Sequence, residues 1–393
     1  MEPLSLYIHI PFCRTKCPYC DFNTYENIEH LIDDYIASLI TELTCWSIYL
    51  DLNSKNKTIK SVFFGGGTPS YIAENHIKKI MEVVKTNFNL LEDAEITIEC
   101  NPNDLFEEKI LSWKNSNINR LSIGAQSFSD KFLRVLGRDH DLLEISQGFL
   151  TARSLGFDNL SLDLIYGIPG QNIADWKSTI HKALELKPDH ISMYGLTIEK
   201  NTKFDWMVTE GLMPNPDSDI AADMYEFVEE EMHNNGYTHY EISNWSLPSK
   251  ESKHNLTYWY SQEYIGIGAG AHSFYSGLRF WNVNSPNEYI NLLEKKQLIQ
   301  DNTEIQGGFC AVSEIEDYDD NTRIADQFIL GLRLVEGINE SVFTQAFIDL
   351  ISMKYEKEIK ELIYIGLLEI SNTSIKLTKR GRLLANEVFY KFL

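Results

Sequence analysis

The sequence is poor in the features that mark nucleic-acid-binding, membrane and disulfide-rich proteins. Its 35 basic residues stand against 57 acidic ones, and the resulting net charge of -22 repels phosphate backbones and anionic lipid. No run approaches the roughly 18 apolar residues that a membrane helix needs. The first residues lack the basic and apolar regions of a signal peptide. We therefore expect a cytoplasmic protein with no nucleic-acid partner and no integral membrane segment.

Cysteine is also scarce, with 6 residues in 393, which is too few for a disulfide scaffold. Three of them, Cys13, Cys17 and Cys20, form a CxxxCxxC run directly after an apolar, β-branched stretch. Clustered cysteines in a chain without an export signal indicate metal or redox chemistry. The remaining cysteines have no paired spacing: Cys45, Cys100 and Cys310.

The three clustered cysteines suit an iron–sulfur cluster better than a structural zinc ion. Thiolates are preferred ligands of both, but a structural zinc site closes with four protein ligands. A 4Fe-4S cluster on three cysteines leaves one iron open to a small molecule that chelates through an amine and a carboxylate. Two alternatives stay open: a zinc site completed by a distant histidine, and three unrelated buried cysteines.

The CxxxCxxC run resembles the signature of the radical-SAM superfamily. The resemblance implies that S-adenosylmethionine (SAM) binds the open iron, and that an electron from the cluster splits its sulfonium to give methionine and a 5'-deoxyadenosyl radical. Tyr19, immediately before the third cysteine, resembles the aromatic residue that contacts the adenine in that family.

Strand-like and helix-like patterns alternate six times in the first 230 residues or so, which predicts a parallel sheet with helical crossovers. We interpret it as an α/β fold, a partial (β/α)6 TIM-like radical-SAM barrel. The predicted strands are 4–10, 61–64, 94–99, 120–124, 159–165 and 190–196.

The remaining sequence predicts a capping segment and a small appended domain. We expect a barrel domain over 1–236, a capping segment with a linker over 237–321, and a C-terminal winged-helix-like α+β domain over 322–393. Residues 237–281 are rich in Tyr, Trp, Gly, Asn and His, which indicates loops and short strands, and 301–321 is polar and acidic. In the last segment we expect helices at 324–334, 341–347 and 355–365, two short strands, and a helix from 378 to the end.

Functional residues of an α/β barrel collect at the carboxyl ends of its strands. Gly66, Gly67 and Thr68 close the second strand, where a backbone without side chains can approach a ligand and offer carbonyls to an ammonium group. Glu99 ends the third strand, and its carboxylate can accept both hydroxyls of a ribose.

The next strand ends add three polar groups. Gln126 follows the fourth strand, and Arg138 can pair with a carboxylate through its planar fork. Asp163 lies within a buried-type strand, so we expect a ligand or a buried arginine to satisfy it. Together these residues offer the polar groups that would bind one nucleoside linked to an amino acid.

Longer stretches narrow the resemblance. The stretches YIHIPFC, GGGTPS, IECNP, LSIGAQSF and DLIYGIPGQ together are similar to the coproporphyrinogen III dehydrogenase-like subfamily, and the likeness covers essentially the whole chain. Tyr7, in the first of them, joins the expected SAM contacts. The subfamily contains an oxygen-independent coproporphyrinogen III dehydrogenase and a heme chaperone.

Three departures from the dehydrogenase pattern favour the chaperone. Phe22 stands where the dehydrogenase has a further cysteine, the long extension before the first strand is absent, and His254 begins an HNxxYW motif. The resemblance implies binding of a 4Fe-4S cluster, SAM and heme, and delivery of heme to respiratory hemoproteins, with an electron donor for the cluster. Catalysis by the dehydrogenase reaction is the alternative, so enzyme activity stays open. Whether the chain forms a homodimer also stays open.

The HNxxYW motif has chemistry suited to heme. The imidazole of His254 can ligate iron, and Tyr258 and Trp259 can lie against a porphyrin. The alternative for His254 is a satisfied histidine in a loop. The glycines of 266–272 superficially resemble a dinucleotide fingerprint but lack its strand–helix context, so we interpret them as a close approach of the backbone to a cofactor.

Overall fold

The computed structural model describes residues 3–298 except 54 and 56, 309–371 except 317, and 374–393. The chain forms two compact units, each assembled from segments that are distant in sequence. The first unit contains Met1–Ala221 and Glu263–Glu316, and the second contains Ala222–Gln262 and Asp317–Leu393. The consecutive domain boundaries at 236/237 and 321/322 therefore stay predictions.

The first unit begins with six strands that alternate with helices. In chain order these elements are β1 (Leu4–Ile10), α1 (Ile32–Leu52), β2 (Thr58–Gly66), α2 (Glu74–Asn87), β3 (Asn89–Cys100), α3 (Glu107–Asn115), β4 (Arg120–Gln126), α4 (Asp130–Val135), α5 (Leu142–Ser154), β5 (Leu160–Tyr166), α6 (Ile173–Glu185), β6 (His190–Gly195) and α7 (Lys203–Thr209). Each strand pairs in parallel with the next. The predicted partial (β/α)6 barrel is confirmed.

These strands carry one apolar and one polar face, because successive side chains of a strand point to opposite sides. On β4, Leu121 and Ile123 are buried on the apolar face, where the crossover helices pack. Ser122 lies on the polar face opposite Glu99 of β3. The polar face therefore carries the candidate site residues.

The chain continues through α8 (Ser218–Asn234), β7 (Thr238–Glu241), β8 (Asn244–Ser246) and α9 (Lys253–Trp259). The two short strands were expected within 237–281, but the expectation of loops is wrong for the HNxxYW motif, which lies on helix α9. Ser252 caps this helix by accepting a hydrogen bond from the Asn255 backbone N–H. Seven residues are too few for their periodicity to be recognised.

The first unit is completed by β9 (Tyr264–Ile267), β10 (His272–Tyr275), β11 (Leu278–Asn282), α10 (Pro286–Leu298) and β12 (Val312–Ile315). Strand β9 pairs in parallel with β1 and gives the local order β12-β11-β10-β9-β1. The six-unit interpretation missed this strand because its four residues include a glycine. Of the predicted linker, 301–308 lies outside the described residues.

The second unit also contains α11 (Asp320–Leu332), β13 (Ile338–Asn339), α12 (Gln345–Lys354), α13 (Glu356–Tyr364), β14 (Leu368–Ile370), β15 (Ser374–Leu377), α14 (Lys379–Leu383) and α15 (Ala385–Phe389). The strands form a small antiparallel sheet in the order β13-β15-β14, so the winged-helix-like prediction is confirmed.

Two helix predictions in this segment need correction. The helix expected over 341–347 begins at Gln345 because Thr344 caps it, and the single terminal helix is divided near Leu384. Among the described helices, none has the length and apolar character to cross a membrane.

Candidate functional site

The three clustered cysteines lie on one loop that leaves the carboxyl end of β1. Cys13 is buried, and Cys17 and Cys20 are half-buried. The Cys13 backbone N–H donates to the Tyr25 carbonyl at 2.9 Å, and the Cys20 N–H donates to the Cys17 carbonyl at 3.0 Å. The loop therefore returns to its starting point, which brings the three thiols to the end of β1. We call residues 13–25 the cysteine loop.

Each thiol of the cysteine loop has a polar partner. The Thr68 hydroxyl donates to Cys13 Sγ at 3.5 Å, and Arg138 Nη1 donates to Cys17 Sγ at 3.4 Å. Cys20 Sγ lies 3.9 Å from the Thr24 hydroxyl. Hydrogen bonds to sulfur stabilise cluster thiolates and adjust the reduction potential of the cluster.

Burial raises the pKa of the Cys13 and Cys20 thiols, and the neighbouring loop thiols raise both further. Such thiols suit a bound cation, which favours the thiolate form of its ligands. Within the described part of the chain, no three or more His, Cys, Asp or Glu side chains are arranged to hold a single metal ion. The cysteine loop, with Thr68 and Arg138 donating to two of its thiols, fits an iron–sulfur cluster.

The glycines after β2 allow close contact with the cysteine loop. The Gly67 N–H donates to the Ile10 carbonyl at 2.8 Å, and a Cβ on Gly67 would lie 2.7 Å from the Phe12 carbonyl oxygen and 3.0 Å from Cys13 Sγ. Gly66 has φ +113°, and a Cβ there would lie 2.5 Å from the His9 ring. Both glycines are therefore required by protein contacts, and their role toward an ammonium group stays a prediction.

Glu99 reaches across to the end of β2. Its Oε2 accepts the Gly66 N–H at 3.2 Å. Burial and the nearby charge of Asp163 raise the pKa of Glu99 to about 8. A carboxylate can accept both hydroxyls of a ribose, and this role of Glu99 stays a prediction.

Asp163 is satisfied within the protein. Its carboxylate accepts the hydroxyls of Ser192 at 2.7 Å, Ser122 at 2.9 Å and Ser161 at 3.2 Å. Burial raises the pKa of Asp163, and these hydroxyls together with the charge of the buried Arg120 offset part of the increase. The expected buried arginine is thus present as Arg120, and three serines on three strands add hydrogen bonds. A ligand contact of Asp163 stays a prediction.

Arg138 connects the cysteine loop to the end of β4. Besides Cys17, it donates from Nη2 to the Asn101 side chain and, at 3.3 Å, to the Gly124 carbonyl. Its Nε is buried and finds no hydrogen-bond partner among the described residues. Arg138 thus has an unused donor suited to a carboxylate.

Gln126, the last residue of β4, lies close to Gly124. Its φ is +60°, and a Cβ on Gly124 would lie 2.9 Å from its Nε2.

Two aromatic residues predicted to contact SAM, Tyr19 and Tyr7, also have contacts within the protein. The Tyr19 ring lies 6.1 Å from that of Phe204, and burial raises the pKa of Tyr19 despite the nearby Arg138. The Tyr7 hydroxyl is hydrogen-bonded to His9 Nδ1 at 3.0 Å, and His9 Nε2 in turn lies 2.9 Å from the Asn23 carbonyl oxygen. Tyr7 therefore contacts the cysteine loop through His9.

His254 lies in the second unit, on α9, with its ring turned into the protein. It is 1% exposed, and its Nε2 is hydrogen-bonded to the Tyr258 hydroxyl at 2.8 Å. Trp259 packs against the hydrophobic core of this unit, and the Arg333 guanidinium lies 4.3 Å from its ring centroid. The motif residues are thus engaged with protein groups, and a role of His254 toward heme stays a prediction.

Sequence reasoning missed three residues of the strand-end site: His9, Asn23 and Arg120. His9 links Tyr7 to the cysteine loop, and Asn23 holds that loop to the β9–β10 turn by donating to the Ala269 carbonyl at 3.1 Å. The alternation of β1 and β4 put His9 and Arg120 on the polar face, which was the available signal. Asn23 had none.

The raised pKa of Glu99 predicts a change of stability with pH. The unfolded chain has the ordinary value of 4.5, so the folded protein binds this proton more tightly. The stability that results is complete below about pH 4.5 and is lost as the pH rises through about 8. We expect Glu99→Gln, which stays neutral, to resist urea better than the wild type at about pH 9 and to match it near pH 4. An unchanged difference between the two proteins at both pH values would contradict this.

Two family models match the chain: the radical SAM superfamily over residues 7–183 and the HemN C-terminal domain over residues 318–384. The chain is 36% identical to the heme chaperone HemW of Bacillus subtilis (strain 168), over 99% of each protein. It is 39% identical to heme chaperone HemW of Escherichia coli (strain K12), over 69% of this chain and 70% of that protein.

The fold agrees with these likenesses. The structure of coproporphyrinogen III oxidase (HemN) from Escherichia coli, a radical SAM enzyme, superposes with a TM-score of 0.82. It covers 99% of this chain and 90% of that one at 23% identity, so this likeness establishes the fold alone. With a relative at 36% identity over 99% of its length, the chain belongs to the radical SAM superfamily and, within it, to the family of the heme chaperone HemW.

Proposed function

We propose that this chain is a heme chaperone that binds heme and delivers it to respiratory hemoproteins. The observation that carries the proposal is its likeness to proteins named heme chaperones over 99% of its length. The HNxxYW motif on α9 and Phe22 in place of a further cysteine also favour this branch over the dehydrogenase.

In this proposal the cysteine loop holds a 4Fe-4S cluster and the strand ends hold SAM. The cluster and SAM supply one-electron chemistry when they are bound. Cys13, Cys17 and Cys20 would ligate the cluster, and the unused Nε of Arg138 supports pairing with the methionine carboxylate. The other proposed SAM contacts are the residues around this position: Tyr7, Tyr19, Gly66, Gly67, Thr68, Glu99, Gln126 and Asp163.

The proposal also requires partners. A separate electron donor would reduce the cluster, and the recipients would be respiratory hemoproteins, to which a cytoplasmic protein could present heme. We also propose that two copies of this chain form a homodimer. The strongly acidic composition, with a net charge of -22, favours protein recipients over nucleic acid.

Heme titration of the anaerobically reconstituted full chain tests the proposal. We expect a saturable absorption band from bound heme, transfer of that heme to an apo-hemoprotein, and no conversion of coproporphyrinogen III. Turnover of coproporphyrinogen III to protoporphyrinogen IX would contradict the chaperone function and support the dehydrogenase. A protein that takes up no heme would also contradict it.

A further inference from the structure

The polar face that carries the candidate site extends beyond β1. Tyr7 of β1 lies opposite Gly266 of β9, and Tyr264 of β9 lies opposite Phe274 of β10. Residues two apart on a strand share a face, as do residues directly opposite each other on paired strands. His272 of β10 therefore lies on the same face as Tyr7.

His272 is an exposed histidine with a fixed ring orientation. It lies directly opposite Trp281 of β11, and the two rings stack with centroids 5.3 Å apart and planes 28° apart. Neither nitrogen of its imidazole is hydrogen-bonded to a described residue. Partial burial of the imidazole and the charge of Arg279 lower the pKa of His272, which favours the uncharged form that ligates iron.

The turn before His272 contacts the end of β1 and the cysteine loop. A Cβ on Gly268 would lie 2.7 Å from the His9 carbonyl oxygen, and one on Gly270 would lie 2.4 Å from Asn23 Nδ2. His272 also lowers the pKa of His9 through the interaction of their charges. His272 is thus held beside the strand ends that carry the proposed SAM contacts.

The surroundings of His272 suit an anionic macrocycle that contains iron. Arg279 lies opposite Phe274 and so places a positive charge on the same face, with its Nε 3.5 Å from a Glu316 oxygen. A guanidinium of this kind can receive a propionate. His254 by contrast is 1% exposed, with its Nε2 bonded to Tyr258.

We infer that heme binds on the polar face of the first unit, with the imidazole of His272 as an iron ligand and Trp281 holding the imidazole plane by stacking. This inference rests on the proposed function, that the chain takes up heme. It assigns the iron contact to His272 in place of His254.

Titration of ferric heme into the full chain, with absorption and electron paramagnetic resonance (EPR) spectra as readouts, tests the inference. We expect His272→Ala to lose the wild-type bands and to bind heme about tenfold more weakly or worse. Added imidazole should restore the bands, and His272→Met should shift them, because the identity of the axial ligand determines the spectrum. His181→Ala, which removes an exposed histidine of α6, is the matched control and should resemble the wild type.

Two results would overturn the inference. Wild-type bands in both His272 variants, together with their loss in His254→Ala, would assign the iron to α9. Absence of heme binding by the wild type would overturn the proposed function as well, so the two failures are distinguishable. Circular dichroism and iron content check that each variant is folded, and if His272→Ala does not fold, His272→Met carries the test.

Discussion

Replacement of Cys17 by alanine is expected to abolish the iron–sulfur cluster. Cys17 is half-buried in the cysteine loop, and its thiol accepts a hydrogen bond from Arg138 at 3.4 Å. With two thiols remaining, a second iron loses its protein ligand. We expect bound iron to fall from about four per chain to almost none after anaerobic reconstitution, with loss of the brown colour.

The matched control for this experiment is Cys45→Ala. Cys45 is a buried cysteine of α1, outside the cysteine loop. This variant should retain the iron content and the colour of the wild type. Equal iron in Cys17→Ala and Cys45→Ala would contradict the assignment of the cluster to the loop, and a colourless wild type with one zinc per chain would support a zinc protein instead.

Replacement of Arg138 by methionine is expected to weaken SAM binding by about 100-fold, because a buried charged pair loses one partner. Its Nε is buried without a protein partner, and its two Nη atoms are held by Cys17, Asn101 and Gly124. The guanidinium is therefore fixed in place before any ligand arrives. Arg138→Lys keeps the charge but loses the planar fork, so we expect an intermediate affinity.

SAM affinity of the variants should be measured by isothermal titration on protein with a verified iron content, because Arg138 also contacts Cys17. Arg134→Met is the matched control, since Arg134 is an exposed arginine of α4 four residues earlier. It should bind SAM as the wild type does. If Arg138→Met, with a full complement of iron, also binds SAM as the wild type does, Arg138 is not a carboxylate partner.

The sequence was sufficient for the barrel and for the cysteine loop because both depend on local signals. A strand such as β5 alternates apolar and polar residues (LSLDLIY) between turn signals, and the spacing of CxxxCxxC indicates a cluster site. Strand β9 and helix α9 were missed because both are too short to show a periodic pattern. Tertiary packing stabilises them. Leu256 and Trp259, for example, pack against the core of the second unit.

The polar contacts between distant residues could not be predicted either. Asp163 is satisfied by serines from β4, β5 and β6, and only the strand register brings these together. Gly67 was expected to approach a ligand, whereas its most evident constraint is the backbone of Pro11 and Phe12, directly before the cysteine loop. The identity of a side chain indicates what it can bind, and the fold decides whether the protein already supplies the partner.

Heme handling illustrates the same distinction. The HNxxYW motif identifies the branch of the family by its letters, but His254 and Trp259 are engaged with protein groups. His272, in a stretch that the sequence marked only as a close backbone approach, is exposed and oriented. In our inference, the motif that is diagnostic of the branch is therefore distinct from the residue that ligates the heme iron.

The most direct test of the whole account is the EPR spectrum of the reduced, reconstituted protein with and without SAM. Three thiolates on the cysteine loop leave one iron of a 4Fe-4S cluster for SAM, so addition of SAM should shift the signal of the reduced cluster. A signal that SAM leaves unchanged, or reconstituted protein without any such signal, would contradict the assignment.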